Sequence, residues 1–171
     1  TATAYAKEGA NLVLTGRNVK KLEEAKEELE RLYGIDVLIV QADVASGQDN
    51  KAVVENVVKQ TVEKFGRIDV LINVAQASAS GVTLKDHTTE QFDLAIYSGL
   101  YGAFYYMKAC YPYLAETKGS VINFASSAAM SGGLGQAANG AAKEGIRALS
   151  RVAATEWAED GINVNSIAPL A

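Results

Sequence analysis

The sequence predicts an α/β fold: a doubly wound parallel sheet with helices on both faces, built as a single domain over residues 1–171. Two observations carry this. Apolar runs of strand length recur along the chain, at NLVLT, DVLIVQ, VLINV, VINFA and NVNSI. Between them lie helix-length segments, most with charged or polar faces. Regular alternation of this kind leaves each strand followed by a crossover helix, which is how parallel sheets are connected.

Each element has a local reason. Thr1 to Lys7 reads as the last turns of a helix that Gly9 stops. Asn11 to Thr15 is a strand, and Gly16-Arg17-Asn18 a turn in which Asn18 is suited to cap the next helix. That helix, Val19 to Tyr33, is charged and amphipathic and ends at Gly34. Asp36 to Gln41 is a strand, and Gln48 to Phe65 a helix whose Val53, Val54, Val57, Val58, Thr61, Val62 and Phe65 form one stripe. Gly66 ends it. Val70 to Val74 is the third strand, and small residues from Ala75 to Leu84 make a loop. A helical region then runs from Thr89 or Glu90 to about Ala115, with an interruption near Ser98-Gly99. Val121 to Ala125 is a strand, Ser126 to Gly135 a Ser/Gly-rich stretch, Ala137 to Glu159 a helix and Asn163 to Ile167 the fifth strand. Pro169 closes the regular pattern.

Composition narrows the function. The formal net charge is −4, which disfavours nucleic acid or an anionic membrane as the main partner. Apolar runs are strand-sized, and none is long enough to cross a bilayer as a helix. The expectation is a cytoplasmic protein. One cysteine, Cys110, excludes an internal disulfide, and one histidine, His87, leaves no His/Cys zinc set, so no metal site is expected. His87 lies in a polar turn, KDHTT, which suits a solvated residue better than a Ser-His-Asp triad.

The stretch Gly119 to Gly145 holds the chemistry. It passes from a strand through a Ser/Gly-rich segment into a helix carrying Lys143, the place where open α/β sheets hold ligands. Alone, Ser126 is an ordinary turn serine and Lys143 a solvated helix lysine. Together with GRIDVLI before Asn73-Val74-Ala75-Gln76, Gly99-Leu100-Tyr101-Gly102-Ala103-Phe104 and GINVNSIAP at the end, they form an ordered set. This set resembles the short-chain dehydrogenase/reductase family from the first residues to the last. The resemblance implies a Rossmann-type fold and an oxidoreductase that reduces a carbonyl or oxidises an alcohol on a small-molecule substrate.

The same resemblance assigns roles. Ser126 would polarise the substrate oxygen, and Lys143 would hold the nicotinamide ribose. The family's acidic tyrosine, however, is here Asn139, whose amide donates hydrogen bonds but does not titrate usefully. Two further positions depart from the family: Gln76 replaces a glycine and Gly99 an asparagine. The acid would then be water or another side chain, with Tyr101 a conceivable donor. Asp43-Val44 would lie against the adenine, although Asp after a strand also serves as a capping device. Asn73, Ala75 and Pro169 would line the cofactor. Arg17 after Gly16 would favour NADP(H) over NAD(H), because a guanidinium matches a 2′-phosphate that an acidic residue would repel. As a plain turn residue, Arg17 would carry no such preference. The departures leave open a non-catalytic dinucleotide-binding or scaffold protein.

The resemblance also implies parts outside the chain. A first strand with its Gly-rich turn is expected ahead of Thr1, and a substrate loop and last strand after Ala171. The first strand would lie between two strands that are present, so its absence would leave backbone groups unpaired on both neighbours. A homodimer or homotetramer through the two long helices is the implied assembly.

Overall fold

The computed structural model describes residues 1–45 and 47–170, the side chain of Gln48 excepted. Its order is α1 (Ala2–Lys7), β1 (Leu12–Gly16), α2 (Val19–Tyr33), β2 (Val37–Gln41), α3 (Asn50–Phe65) and β3 (Val70–Asn73), then α4 (Thr89–Ala95), α5 (Gly102–Thr117), β4 (Ser120–Phe124), α6 (Ser127–Ser131), α7 (Ala137–Glu156) and β5 (Asn163–Ile167). All strand pairing among the named strands is parallel.

Helix ends follow the local chemistry. Asn18 caps α2 by accepting from the Lys21 amide at 3.1 Å, and Gly34 closes it in the left-handed conformation at φ 65°. Such a cap satisfies one of the helix's free amides and typically contributes about 1 kcal/mol. Thr88 and Gln91 form a reciprocal capping box on α4. The interruption expected near Ser98-Gly99 is a π-helical segment, Ile96–Tyr101, joining α4 to α5 without a break. In it the Gly102 amide donates to the Tyr97 carbonyl five residues back. The fully buried Asn50 on α3 donates its Nδ2 to the same carbonyl at 2.8 Å. The Ser/Gly-rich stretch after β4 differs from the loop expected, because Ser126 caps a short helix there by accepting from the Ala129 amide at 3.4 Å.

The sheet is divided. β1 pairs with β2, while β3, β4 and β5 form a second sheet in that order. β1 and β3 line opposite sides of a gap of about 700 Å³, with Leu12, Leu14, Val70 and Ile72 among its walls. Strands of a parallel sheet are normally buried on both faces. Here no residue of β1 is fully buried, and Val70 is 37 % exposed. In the main core, α3, α5 and α7 pack Val54, Val58, Met107, Leu114 and Ala153 against Val121 and Val164. Leu114 and Val121 are completely buried.

This division has a measurable consequence. Amides of β1 and β3 that face the gap are expected to exchange with deuterium faster than those of β4, which is paired on both edges. Equal protection across β1, β3 and β4 would show that the gap closes in solution.

Candidate functional site

Parallel strands bring their C-terminal ends to one edge, and the residues expected to act are gathered along it. Gly16-Arg17 leaves β1, Asp43-Val44 follows β2, Asn73 ends β3, Ser126 follows β4, and Pro169 follows β5. Arg17 is exposed, and its carbonyl accepts from Gln41 Nε2 at 3.1 Å, which ties the two strand ends together. Asp43 is exposed and its Oδ1 accepts from the Ala45 amide at 2.9 Å, a local turn contact. Val44 and Ala75 line the gap beside β1 and β3. The Pro169 carbonyl accepts from the Ser127 amide at 3.4 Å, so the chain after β5 is fastened to the start of α6.

Asn73 is committed within the protein. Its Nδ2 donates to Asn123 Oδ1 on the neighbouring strand at 2.8 Å. Asn123, completely buried, in turn donates its Nδ2 to Ser150 Oγ on α7 at 2.9 Å, and Ser150 donates to the Ile146 carbonyl at 2.7 Å. The side chain of Asn73 thus joins β3 to β4, and Asn123 joins both to α7. Sequence reasoning passed over Asn123 and Ser150. The available signal was an asparagine inside the apolar run VINF, a residue that cannot be buried there without polar partners.

Lys143 reaches back from α7 to the end of β4, where its Nζ donates to the Phe124 carbonyl at 2.9 Å. Burial pushes its pKa below the ordinary lysine value, because the ammonium gives up water. Ser126 lies two residues beyond Phe124, so the serine and the lysine are both anchored at this strand end. Tyr101 sits in an aromatic ladder, its ring 5.2 Å from that of Tyr97 and 5.6 Å from that of Tyr105, and is 39 % exposed.

Two loops cover this edge and meet at a pair of glycines. The Gly81 amide donates to the Gly135 carbonyl at 2.9 Å, and both residues have positive φ. A Cβ on Gly135 would lie 2.8 Å from Gly81 Cα, so the contact requires glycine. Behind it, Ser98 pins the loop after β3. Its Oγ accepts from the Ala77 amide at 2.9 Å and lies 3.0 Å from the Ala77 carbonyl and 2.6 Å from the Leu94 carbonyl. Ser98 is therefore engaged in holding backbone. Next to Ala77, Gln76 donates its Nε2 to Asn139 Oδ1 at 2.8 Å.

An open parallel sheet with these groups at its carboxyl edge defines a dinucleotide-binding α/β protein of the Rossmann class. The comparisons agree. The profile of the family described as enoyl-(acyl carrier protein) reductase matches residues 1–171. A 12alpha-hydroxysteroid dehydrogenase of Clostridium sp. (strain ATCC 29733 / VPI C48-50) is 64% identical over 170 residues, covering 99% of this chain and 66% of that protein. The crystal structure of an NAD+-bound xylitol dehydrogenase superposes with a TM-score of 0.90 at 30% identity, over 99% of this chain and 64% of that one. An alcohol dehydrogenase from the archaeon Thermococcus sibiricus, complexed with 5-hydroxy-NADP, gives 0.85 at 27% identity, over 96% and 67%. The chain belongs to the short-chain dehydrogenase/reductase family. It spans about two thirds of the length of these relatives. Among the described residues, no helix is long and apolar enough to cross a membrane.

Two outcomes follow from these contacts. Asn123→Ala strands the Asn73 amide and takes from Ser150 Oγ its incoming donor, and is expected to cost about 2 kcal/mol or more in urea unfolding. A loss near zero would mean that water replaces Asn123 freely. Lys143 gives a pH signature. A lysine whose folded pKa is depressed opposes folding while protonated, so its cost is full below the folded pKa. That cost fades as pH rises through the folded pKa toward the unfolded value. Thermal melts from about pH 7 to about pH 10 should therefore show wild type gaining stability relative to Lys143→Met. A constant difference would mean that the ammonium remains hydrated.

Proposed function

We propose that this chain forms the dinucleotide-holding and catalytic part of an oxidoreductase that interconverts an alcohol and a carbonyl on a small-molecule substrate. The observation that carries this reading is the gathering of Arg17, Asp43, Asn73, Ser126 and Lys143 at the carboxyl ends of consecutive parallel strands. The residues fit a nicotinamide dinucleotide. Arg17 presents an exposed cation and Asp43 an exposed acceptor at the β1–β2 end. Lys143 brings a partly buried cation to the β4 end. Val44, Ala75 and Pro169 would flank the cofactor.

When bound, the dinucleotide supplies or accepts the hydride. The protein's own part is to orient and to handle the proton. Ser126 would polarise the substrate oxygen through its hydroxyl, and Lys143 would hold the ribose. Asn139 would donate a hydrogen bond to that oxygen but pass no proton of its own, so the proton would come from water or from another side chain such as Tyr101. Loss of a positioned general acid lowers a rate by roughly 10²–10⁴-fold. Asn139 is therefore also the observation behind a second reading, a dinucleotide-binding protein with little or no turnover.

The 12α-hydroxysteroid dehydrogenase relative suggests a hydroxysteroid as the first substrate to test. The exposed Phe104 and Val152, beside a groove between α5 and α7, suit a homodimer or homotetramer. The gap between β1 and β3 suits one further parallel strand. A chain supplying that strand should protect the gap-facing amides of both neighbours, and unchanged exchange would count against it.

Calorimetric titration of the intact protein with NADPH and NADH tests the main reading. NADPH is expected to bind at least about tenfold more tightly, as a charge-assisted phosphate contact provides. Arg17→Ala should remove the difference. Equal affinity in the wild type would overturn the NADP(H) preference, and no binding of either would overturn both readings.

A further inference from the structure

Three positions at which this chain departs from its family's pattern lie far apart in sequence, yet meet around one side chain. Gln76 donates from Nε2 to Asn139 Oδ1 at 2.8 Å. Its other end lies over Gly99. A Cβ built on Gly99 would stand 2.5 Å from Gln76 Oε1 and 2.7 Å from Cδ, distances at which something must move. The neighbouring Ala77 backbone is fixed to Ser98, which is 1 % exposed, so the loop carrying Gln76 is held where it is.

We propose that Gln76 is a positioning residue: it fills the space over Gly99 and turns the Asn139 amide so that Nδ2 points away from it, as a donor to a ligand's acceptor oxygen. The inference rests on the reading above only for what Asn139 meets. The orientation follows from hydrogen-bond capacity. As drawn, Gln76 leaves a buried carbonyl oxygen without a partner. Reversing both amides would instead turn the two N–H groups of Gln76 toward the space over Gly99 and point Asn139 Oδ1, an acceptor, at the ligand. Orphaned N–H groups are rarer in folded proteins than under-satisfied carbonyls. With Oδ1 committed to Gln76, Asn139 presents N–H, which suits a carbonyl, alkoxide or carboxylate oxygen and disfavours a donor. The same geometry makes positions 76, 99 and 139 interdependent. A side chain on residue 99 displaces Gln76, and a longer side chain on residue 139 runs into it. Replacing Asn139 by tyrosine alone therefore cannot simply restore a phenol to the site.

The test uses the full chain and needs no turnover, so it stands whether or not the protein proves to be an oxidoreductase. Gly-to-Ala changes within helical segments ordinarily stabilise, because alanine loses less backbone entropy on folding. Gly99→Ala is expected to lower Tm by about 2–4 °C in the wild type and to raise it in the Gln76→Ala background. Asn139→Tyr should lower Tm by a similar amount and recover more than half of it when combined with Gln76→Gly. A spectroscopic arm separates positioning from mere packing. The Asn139 side-chain amide signal, identified by its loss in Asn139→Asp, should move in the same direction in Gln76→Ala and Gly99→Ala. In Gln76→Glu, which can only accept when ionised, its Nδ2 turns inward and its protons should exchange more slowly. If Gly99→Ala raises Tm in both backgrounds, or the Asn139 signal is indifferent to Gln76, the proposal is wrong.

Discussion

The site's geometry depends on one buried amide. Asn123 sits inside the apolar strand β4 with no access to water, and its two ends are both used. It accepts from Asn73 on β3 and donates to Ser150 on α7. In an interior of low dielectric each of these bonds is stronger than in water, and each would be costly to leave unmade. The strand register and the rotational setting of α7 are thus fixed together. α7 also carries Asn139 and Lys143, while β4 leads directly into Ser126. Without the Asn123 bridge, packing and the Lys143 contact with the Phe124 carbonyl would have to set the angle at which the helix presents these residues to the strand ends.

The divided sheet is the other constraint. Parallel pairing is complete within β1–β2 and within β3–β4–β5. Among the described residues no strand pairs with the gap-facing edges of β1 and β3, and their side chains are only partly covered. The core around Leu114 and Val121 belongs to the three-stranded unit and is the larger cluster. The β1–β2 unit relies on a smaller cluster of Ala6, Leu29, Ile35 and Val37. Arg17 and Asp43 belong to the smaller unit, and Ser126 and Lys143 to the larger. A ligand spanning both ends would join the two units, gaining affinity from contacts on each and holding them in one arrangement.

Much of this was legible in the sequence because it is local. Asn18, Gly34 and Gly66 marked helix ends through capping chemistry that involves only neighbouring residues. β5 and α2 were bounded correctly for the same reason. The strand-end positions of Ser126, Arg17 and Asp43, and the place of Lys143 on the helix after β4, followed from alternation of strands and helices plus family likeness. What escaped was non-local. The α6 helix was hidden by serines and glycines that also make loops. The π-helical segment was visible only as an interruption, since the Asn50 side chain that supports its Tyr97 carbonyl comes from a distant helix. Gln76 and Asn139 were noted as separate departures, because nothing in a linear sequence indicates that they touch.

Their contact bears on how a site of this kind keeps its shape with an amide in the tyrosine position. A buried lysine requires hydrogen-bond partners, and the ammonium of Lys143 has one in the Phe124 carbonyl, within the protein's own backbone. Its placement does not depend on a phenol at residue 139. Asn139 in turn is held by Gln76 rather than by the lysine. The two groups are therefore supported independently: the cation by the end of β4, the amide by the loop after β3. A change at residue 139 removes no hydrogen bond of Lys143 or Ser126 and acts first on Gln76. The placement of the cation and the orientation of the amide are separable in this fold, and Gln76 acts on the second of them.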